Sequence, residues 1–315
     1  MTSSSTDTFV DTVSKAASQA LGREVKLETT RGGGYAGGGG ATTGALLDKK
    51  TNEKFFLKSA RGGLDMLRAE YEGVKAMADT GTIQVPTPIA FGQHEATRQG
   101  FALFEYLNFC GGGSQYQLGV MLAKMHKKGI SPNGKFGFHI DNTIGATPQP
   151  NAWEEDWTDF WDKHRLGHML KLTGDAGFAA DKIQKLRQKT RELLSHKPDP
   201  CIVHGDLWGG NKGFCEKNGE VIPVIFDPAT YYGDREVDVA MTYVFGGFNS
   251  DFYDGYNSEW PLPDGHDKRR TIFDPKKKNP SKERCHKRSA RILNLGTPNH
   301  STLLTTRSRL PQFST

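Results

Sequence analysis

The stretch His204-Gly-Asp-Leu-Trp-Gly-Gly-Asn211 decides how the rest of this chain is interpreted. It begins where the apolar run Cys201-Ile-Val-His204 predicts a buried strand that enters a polar loop. The apolar runs Lys212–Phe214 and Val221–Phe226 follow and flank an Asn-Gly dipeptide, which is a strong signal for a β-hairpin. The polar loop is therefore expected between a buried strand and a hairpin that ends at Asp227.

The polar side chains of this region suit phosphoryl transfer. That reaction needs a carboxylate near the attacking hydroxyl and oxygen ligands that hold Mg²⁺ against the phosphates. Asp206 and Asn211 have the Asp-to-Asn spacing of the protein-kinase catalytic loop. We predict that Asp206 accepts or orients the proton of the substrate hydroxyl and that Asn211 binds the metal. Asp227 has the position of the second metal ligand, although an Asp-Pro pair alone would indicate only a turn.

A lysine and an acidic partner are expected upstream. Lys58 follows the apolar residues Phe55-Phe-Leu at the end of a predicted strand, from which its side chain can reach the phosphates. Glu70 is expected to pair with Lys58, because it lies three residues after Leu67 and near the apolar face of the next helix. Glu72 is the alternative partner and falls further round that helix.

Two backbone segments are expected to contact the nucleotide. The glycine-dense loop from Gly32 to Gly44, and Gly32, Gly33 and Gly34 in particular, would cover the phosphates with N–H groups. It is not a Walker A motif, because no Gly-Lys-Ser/Thr follows. The connector Glu105-Tyr106-Leu107 comes after an apolar strand, and its backbone would meet adenine.

Two aromatic residues of the central motif are predicted to contact the substrate. Trp208 lies two residues after Asp206, and its ring can stack on a sugar or attract an amine-bearing group, although a packing role is the alternative. His204 is the first residue of the motif and is predicted, like Trp208, to contact the substrate.

The order of predicted elements is that of a two-lobed α+β protein. A helix over Thr8 to Gly22 precedes short strands, one further helix and more strands, after which the pattern becomes mainly helical and includes a predicted helix over Val237 to Phe245. We predict a small β-rich N-lobe over residues 1–107 and a larger helical C-lobe over 108–272. Residues 273–315 have no sustained period and are predicted to form a basic, irregular tail.

The positive charge of the chain is concentrated in that tail. The whole chain has a formal net charge of +5, but residues 266–315 contain 13 Lys and Arg against 3 Asp and Glu. The residues before 266 therefore carry a small net negative charge, which gives no reason to expect that they bind nucleic acid. No apolar run is long enough to predict a membrane span.

The compartment is predicted from the cysteines and the N-terminus. Cys110, Cys201, Cys215 and Cys285 show no CxxC spacing, which favours reduced thiols in a cytoplasmic protein. Residues 1–10 lack both an apolar signal-peptide core and an arginine-rich face, so neither a secretory signal nor a transit peptide is expected.

The sequence resembles the fructosamine-3-kinase (ketosamine-3-kinase) family. The resemblance rests on His204 to Asn211 together with Ile225-Phe-Asp-Pro-Ala-Thr-Tyr-Tyr-Gly233. It covers about residues 8–271 and is most specific over 136–262. The further matching segments are Asp141–Gly145, Pro148–Asn151, the tryptophan-rich run to Gly167, Phe245–Phe248, Phe252-Tyr253 and Trp260–Leu262.

The resemblance implies a bilobal protein-kinase-like fold, also found in aminoglycoside phosphotransferases, with ATP and Mg²⁺ in the cleft. It implies phosphorylation of the sugar O3′ hydroxyl of ketoamines, which are sugar adducts of lysine amines, on glycated proteins or free amines. The phosphorylated adduct is unstable, so the family acts in protein deglycation. Ribulosamines are accepted more broadly than fructosamines, which favours protein-ribulosamine 3-kinase activity.

The chain departs from the family pattern at two places. Tyr35 stands where some relatives carry cysteine, so a thiol-based switch in the glycine-rich loop is not expected. After Ile272 the family continues into further helices, whereas this chain has Phe273-Asp-Pro and the basic tail. We hypothesise a frameshift or a retained intron in the gene model, which would leave apolar surface of the C-lobe uncovered. Sequencing the transcript and finding this reading frame intact would contradict that hypothesis.

Three other functions compete with the ketoamine kinase. The first is a kinase of the same fold for another alcohol, such as an aminoglycoside or a choline-like compound, which needs the same Asp206, Asn211 and Asp227. The second is an inactive ATP-binding or truncated product. The third is a nucleic-acid binder that acts through the tail, and steep salt dependence of binding would mark it. The oligomeric state does not follow from the sequence.

Overall fold

The structure is a computed structural model that describes residues 7–30, 35–36, 40–174 and 179–273. The predicted phosphate contacts at Gly32, Gly33 and Gly34 lie outside the described residues, as does the tail after Phe273.

The first lobe is built on an antiparallel sheet with the strand order β1-β3-β4-β6-β5, and β2 pairs with β3. Its elements are α1 (Phe9–Leu21), β1 (Leu27–Thr29), β2 (Tyr35–Ala36), β3 (Thr42–Asp48), β4 (Lys54–Arg61), α2 (Leu64–Ala78), β5 (Pro88–His94) and β6 (Gln99–Glu105). Thr8 caps α1 through a reciprocal contact with Asp11. Strand β4 continues three residues past Lys58, so this lysine lies inside a strand and not at its end, opposite Ala102 of β6.

The second lobe is mainly helical and carries short two-stranded ladders. Its elements are α3 (Gln115–Lys128), β7 (Asn142–Ile144), β8 (Thr147–Gln149), α4 (Trp157–Phe160), a π-helix (Trp161–Leu166), α5 (Gly167–Leu172), α6 (Ala180–Leu193), β9 (Cys201–Val203), β10 (Lys212–Lys217), β11 (Glu220–Ile225), β12 (Tyr231–Gly233), α7 (Glu236–Thr242), α8 (Ser250–Glu259) and α9 (His266–Phe273). The predicted hairpin is present, with Lys212 opposite Ile225. A β-rich lobe followed by a helical lobe is the protein-kinase-like arrangement, which confirms the predicted fold class.

The buried apolar residues fix the central loop relative to both lobes. One cluster joins Leu67 of α2, Phe104 of β6 and Leu122 of α3 to Ile202 of β9. Leu207, inside the central motif, belongs to the same cluster and is fully buried. The loop between β9 and β10 is therefore anchored by apolar packing in the middle of the molecule.

Helices α3 and α8 approach so closely that their backbones touch. A Cβ atom on Gly119 would lie 2.0 Å from the carbonyl oxygen of Phe252, and one on Gly255 would lie 2.1 Å from that of Tyr116. Real Cβ contacts are not this short, so only glycine fits at either position. This contact places His126 of α3 beside Tyr256 of α8, with 2.8 Å between Nδ1 and the hydroxyl oxygen.

Helix α9 closes the described part of the chain. Arg269 donates two hydrogen bonds to the carboxylate of Glu236 on α7, at 2.8 and 2.7 Å. The ring of Phe273 packs edge-on against Trp161, with 4.9 Å between ring centroids. Regular packing thus continues to Phe273, the last residue that the structure describes.

A buried carboxylate holds the turn between β3 and β4. Asp48 accepts hydrogen bonds from the guanidinium of Arg23 (2.7 Å), the hydroxyl of Thr51 (2.9 Å) and the backbone N–H groups of Lys26 and Lys50. Burial by itself raises the pKa of Asp48, but these donors outweigh it and lower the pKa to about 2.

The stability of the fold should therefore depend on pH through Asp48. Its folded-state pKa is depressed, so its contribution is full above about pH 4 and is lost as the pH falls through about 2. Urea unfolding at pH 7 should show Asp48→Asn to be less stable than the wild type, and the difference should shrink below pH 4. The exposed Glu53, which also contacts Arg23, provides the control Glu53→Gln. A difference that stays constant from pH 7 to pH 2 would contradict this role.

Candidate active site

The central loop is held by the carboxylate of Asp238, which is fully buried on α7. Its Oδ2 accepts a hydrogen bond from the backbone N–H of His204 (2.7 Å), and its Oδ1 accepts one from Gly205 (2.8 Å). His126 Nε2 lies 3.1 Å from Oδ2. Burial raises the pKa of Asp238, but His126 and the loop N–H groups together lower it below its usual value. An ionised carboxylate thus fixes the start of the motif.

The site residues predicted from the sequence do not include Asp238. The region from Val237 to Phe245 was predicted as a helix with no role for its acidic residue. The available signal was the placement of Asp238 between Val237 and Val239, where an acidic residue that faces the interior needs buried partners. Its two loop partners lie more than 30 residues upstream, so spacing within the motif could not reveal them.

The structure places His204 behind the loop and not at a substrate surface. The side chain is fully buried, its Nε2 donates to the carbonyl of Phe226 (2.9 Å), and its Nδ1 accepts from the N–H of Asp206 (3.2 Å). Burial lowers the pKa of His204, which favours the neutral ring that this arrangement requires. Its predicted contact with substrate is therefore replaced by a positioning role, because both ring nitrogens are used inside the protein.

Asp206, Asn211 and Asp227 are brought together as the spacing predicts. The Asn211 side-chain amide donates to the carbonyl of Asp206 (2.9 Å), to Asp206 Oδ2 (3.3 Å) and to the carbonyl of Asp227 (3.3 Å). Asp227 has a φ of 60°, a left-handed conformation that is strained for most residues other than glycine. Such strain is often found at functional sites, where the surrounding structure holds it.

The two carboxylates have different proton affinities. Burial, and next the negative charge of Asp227, raise the pKa of Asp206 well above its usual value. The ammonium of Lys58 lowers the pKa of Asp227. The surroundings thus shift the pKa values of the two carboxyls in opposite directions, a pairing typical of sites that move protons.

Lys58 joins the two lobes across the cleft. Its Nζ lies 2.6 Å from Glu70 Oε1 on α2 and 2.5 Å from Asp227 Oδ1. Burial by itself lowers the pKa of Lys58, but Asp227 and Glu70 outweigh it and raise the pKa above its ordinary value. Glu70 is thus the partner of Lys58, whereas Glu72 lies 4.0 Å from Arg68 on the same helix.

The predicted adenine connector leaves the end of β6 and is partly buried. The Glu105 carboxylate accepts a hydrogen bond from the Thr87 hydroxyl (2.6 Å), and the Glu105 N–H donates to the Thr87 carbonyl (2.8 Å). The Lys54 ammonium lies 5.6 Å from the Tyr106 ring centroid, and Leu107 is half-buried. The side chain of Glu105 is thus occupied locally, and the backbone after it leads towards the second lobe.

Trp208 lies within the central motif, two residues after Asp206. The backbone N–H of Trp208 donates to the backbone carbonyl of Asp206 (3.1 Å). The backbone carbonyl of Trp208 accepts a hydrogen bond from the backbone N–H of Asn211 (2.9 Å). The indole is half-buried and packs edge-on against Phe245, with 5.8 Å between ring centroids. Phe245 was predicted to continue a helix, but α7 ends at Thr242 and leaves Phe245 in the following loop.

The fold and these side chains define a phosphotransferase of the protein-kinase-like class. A model of the fructosamine kinase family matches residues 9–274, and the chain belongs to this family. The resemblance drawn from the central motif is thereby confirmed.

Named relatives and a solved structure agree with this membership. The chain is 41% identical over 269 residues to a candidate ketoamine kinase of Synechocystis, covering 83% of this chain and 86% of the relative. It is 42% identical over 232 residues to a chloroplastic protein-ribulosamine 3-kinase of japonica rice, covering 71% of this chain but only 66% of the relative. A crystal structure of a candidate fructosamine-3-kinase from Haemophilus somnus 129PT superposes with a TM-score of 0.69 at 28% identity, covering 83% of this chain and 86% of that one.

Loss of the Asp238 charge should damage both stability and catalysis. In Asp238→Asn a single carbonyl oxygen replaces two acceptors, so one buried loop N–H loses its partner, at a cost of about 2 kcal/mol. Misplacement of Asp206 should lower kcat on the order of a hundredfold. Urea unfolding and steady-state kinetics on the same preparations measure the two effects.

A buried acid away from the loop provides the control for this experiment. Asp162 is also buried and accepts two hydrogen bonds from Arg187, at 2.8 and 2.7 Å. Asp162→Asn should lower stability but leave kcat of the folded fraction within about twofold. An equal loss of kcat in both variants would show that Asp238 acts only through general stability.

Proposed function

We propose that this protein transfers the γ-phosphoryl group of ATP to the O3′ hydroxyl of ketoamine adducts on amines, which starts their removal from proteins. Membership of the fructosamine kinase family supports the substrate class. The observation that carries the chemistry is the joint placement of Asp206, Asn211 and Asp227, with Lys58 paired to Glu70 and Asp227.

Asp206 is the residue proposed to receive the substrate hydroxyl. Its carboxylate is half-buried, fixed by the Asn211 amide, and raised in pKa, so it can hydrogen-bond the hydroxyl and take its proton as the oxygen attacks. The γ-phosphoryl group then passes from ATP to the sugar oxygen, and its bond to the bridging oxygen of ADP breaks. The ADP leaving group keeps the electrons of the broken bond.

The side chains of Asn211 and Asp227 fit a magnesium ion. The amide nitrogen of Asn211 points inward to protein carbonyls, and among the described residues its Oδ1 accepts no hydrogen bond. Asp227 keeps a half-exposed, ionised carboxylate. Amide and carboxylate oxygens are the ligands Mg²⁺ prefers, and the ion would neutralise phosphate charge.

Lys58 is proposed to contact the phosphates while Glu70 holds its ammonium in place. The backbone of Glu105-Tyr106-Leu107 is proposed to meet adenine. The contacts of Gly32, Gly33 and Gly34 with the phosphates remain predictions from the sequence.

The preferred adduct is proposed to be a ribulosamine, carried by a protein lysine or a free amine. The name of the rice relative supports the sugar. Among the helices that the structure describes, none has the length and apolar character needed to cross a bilayer. Action in the cytoplasm, on a substrate other than nucleic acid, remains a prediction from the sequence.

The first test is turnover by the purified protein. We expect ATP-dependent phosphorylation of ribulosyl-lysine and fructosyl-lysine, and a fall of about a thousandfold in kcat for Asp206→Ala, because proton transfer is lost. Coupled detection of ADP measures the rate, and the exposed Asp181→Ala is the control. Turnover of an aminoglycoside or choline but of neither ketoamine would favour the other small-molecule kinase.

A second test concerns the metal ligands. Asp227→Asn should lower kcat by at least a hundredfold and weaken MgATP binding, because one anionic ligand is lost. Isothermal titration with ATP, with and without Mg²⁺, measures the binding, and Asp254→Asn on the exposed side of α8 is the matched control. If Mg²⁺ improves ATP binding equally in the wild type and Asp227→Asn, Asp227 is not a ligand.

A further inference from the structure

We propose that Phe245 is a further substrate-binding residue that, with Trp208, holds the substituted amine of the ketoamine and the first methylene groups of its carrier. This inference rests on the proposed function and adds the part of the site that distinguishes the amine component. It concerns an aromatic residue to which the sequence motif gives no role.

The first observation is the geometry of the two rings. Phe245 packs edge-on against Trp208, with 5.8 Å between ring centroids and 71° between ring planes. Phe245 retains 40% of its accessible surface, although an aromatic side chain of this size gains most by burial. The pair therefore presents an aromatic surface beside the loop that carries Asp206.

The second observation is a rigid connection between the two rings. A Cβ atom on Gly209 would lie 2.5 Å from the carbonyl oxygen of Gly246, and one on Gly247 would lie 2.9 Å from the Cα of Gly209. The side-chain amide of Gln115 donates to the carbonyl of Gly247 at 3.2 Å. The backbone of the Phe245 loop thus packs directly on that of the loop that carries Asp206.

The chemistry of the substrate matches this surface. In a ketoamine the nitrogen lies three bonds from the carbon that bears the O3′ hydroxyl, and it carries a proton near neutral pH. A sugar whose hydroxyl is placed at Asp206 lies near Trp208, which is two residues further along the same loop, and its nitrogen can then reach the ring that packs on Trp208. Aromatic faces attract such cations, and their edges pack against the attached methylene groups.

The inference predicts discrimination between amine carriers. The wild type should have a lower KM for the ribulosyl adduct of Nα-acetyl-lysine, which has a long alkyl arm, than for the ribulosyl adduct of methylamine. In Phe245→Leu the KM for the lysine adduct should rise about tenfold, as expected for a lost cation–π and packing contact. The ratio of the two KM values should fall towards one, and Phe245→Tyr should restore it.

Two other kinetic constants, the KM for ATP and kcat, should be insensitive to Phe245. The KM for ATP and kcat should change by less than about twofold in Phe245→Leu, because the ring does not touch the reacting atoms. Tyr243→Leu is the matched control: Tyr243 is 39% exposed on the same segment but stacks on Tyr253, with 4.4 Å between centroids. It should leave both KM values unchanged.

The possible results separate this inference from the proposed function. An unchanged KM for the lysine adduct in Phe245→Leu, or no difference between the two adducts in the wild type, would overturn the inference alone. A parallel change in kcat and in both KM values would show that Phe245 only supports the fold, and would also overturn it. No turnover of either adduct by the wild type would overturn the proposed function, and the inference with it.

Discussion

The contact between the Asp238 carboxylate and the N–H groups of His204 and Gly205 is the constraint on which the site depends. Two backbone donors and one imidazole surround a fully buried charge, and a buried charge without such partners would be very costly. The same carboxylate therefore fixes α7, α3 and the loop that carries Asp206. The residues proposed to carry out the chemistry lie close together in the sequence of the loop. The position of the loop, however, is set by Asp238, which lies outside the loop.

The ion pairs of Lys58 have the corresponding function between the lobes. Lys58 belongs to the sheet of the first lobe, Glu70 to the helix packed on that sheet, and Asp227 to the second lobe. Because Lys58 and Glu70 are largely removed from water, their attraction is stronger than that of a surface pair, whereas the half-exposed Asp227 is better screened. The relative position of the groups proposed to bind phosphate and metal is thus controlled by electrostatics as well as by packing.

The sequence predicted the parts whose signals are local. The spacing from Asp206 to Asn211, the Asn-Gly hairpin and the helical periodicity near Glu70 each lie within a few residues, and the structure brings these groups together. The support from Asp238 and the buried place of His204 could not be predicted, because both depend on contacts between segments far apart in the chain. The helix predicted to reach Phe245 ends at Thr242, because the apolar pattern continues through Val244 and Phe245 after regular structure has stopped, as far as the left-handed Gly246 and Gly247.

The glycine contact between α3 and α8 has a consequence for how this protein can vary. Gly119 and Gly255 carry no chemical group and lie within helices, where alanine is usually the better residue. Yet the helices they join carry His126 and Tyr256, which reach Asp238 through hydrogen bonds. A single methyl group added at either glycine would separate these helices. The displacement would reach the catalytic loop through His126 and Asp238. Two positions with no reactive side chain thus set the spacing on which the loop of Asp206 depends.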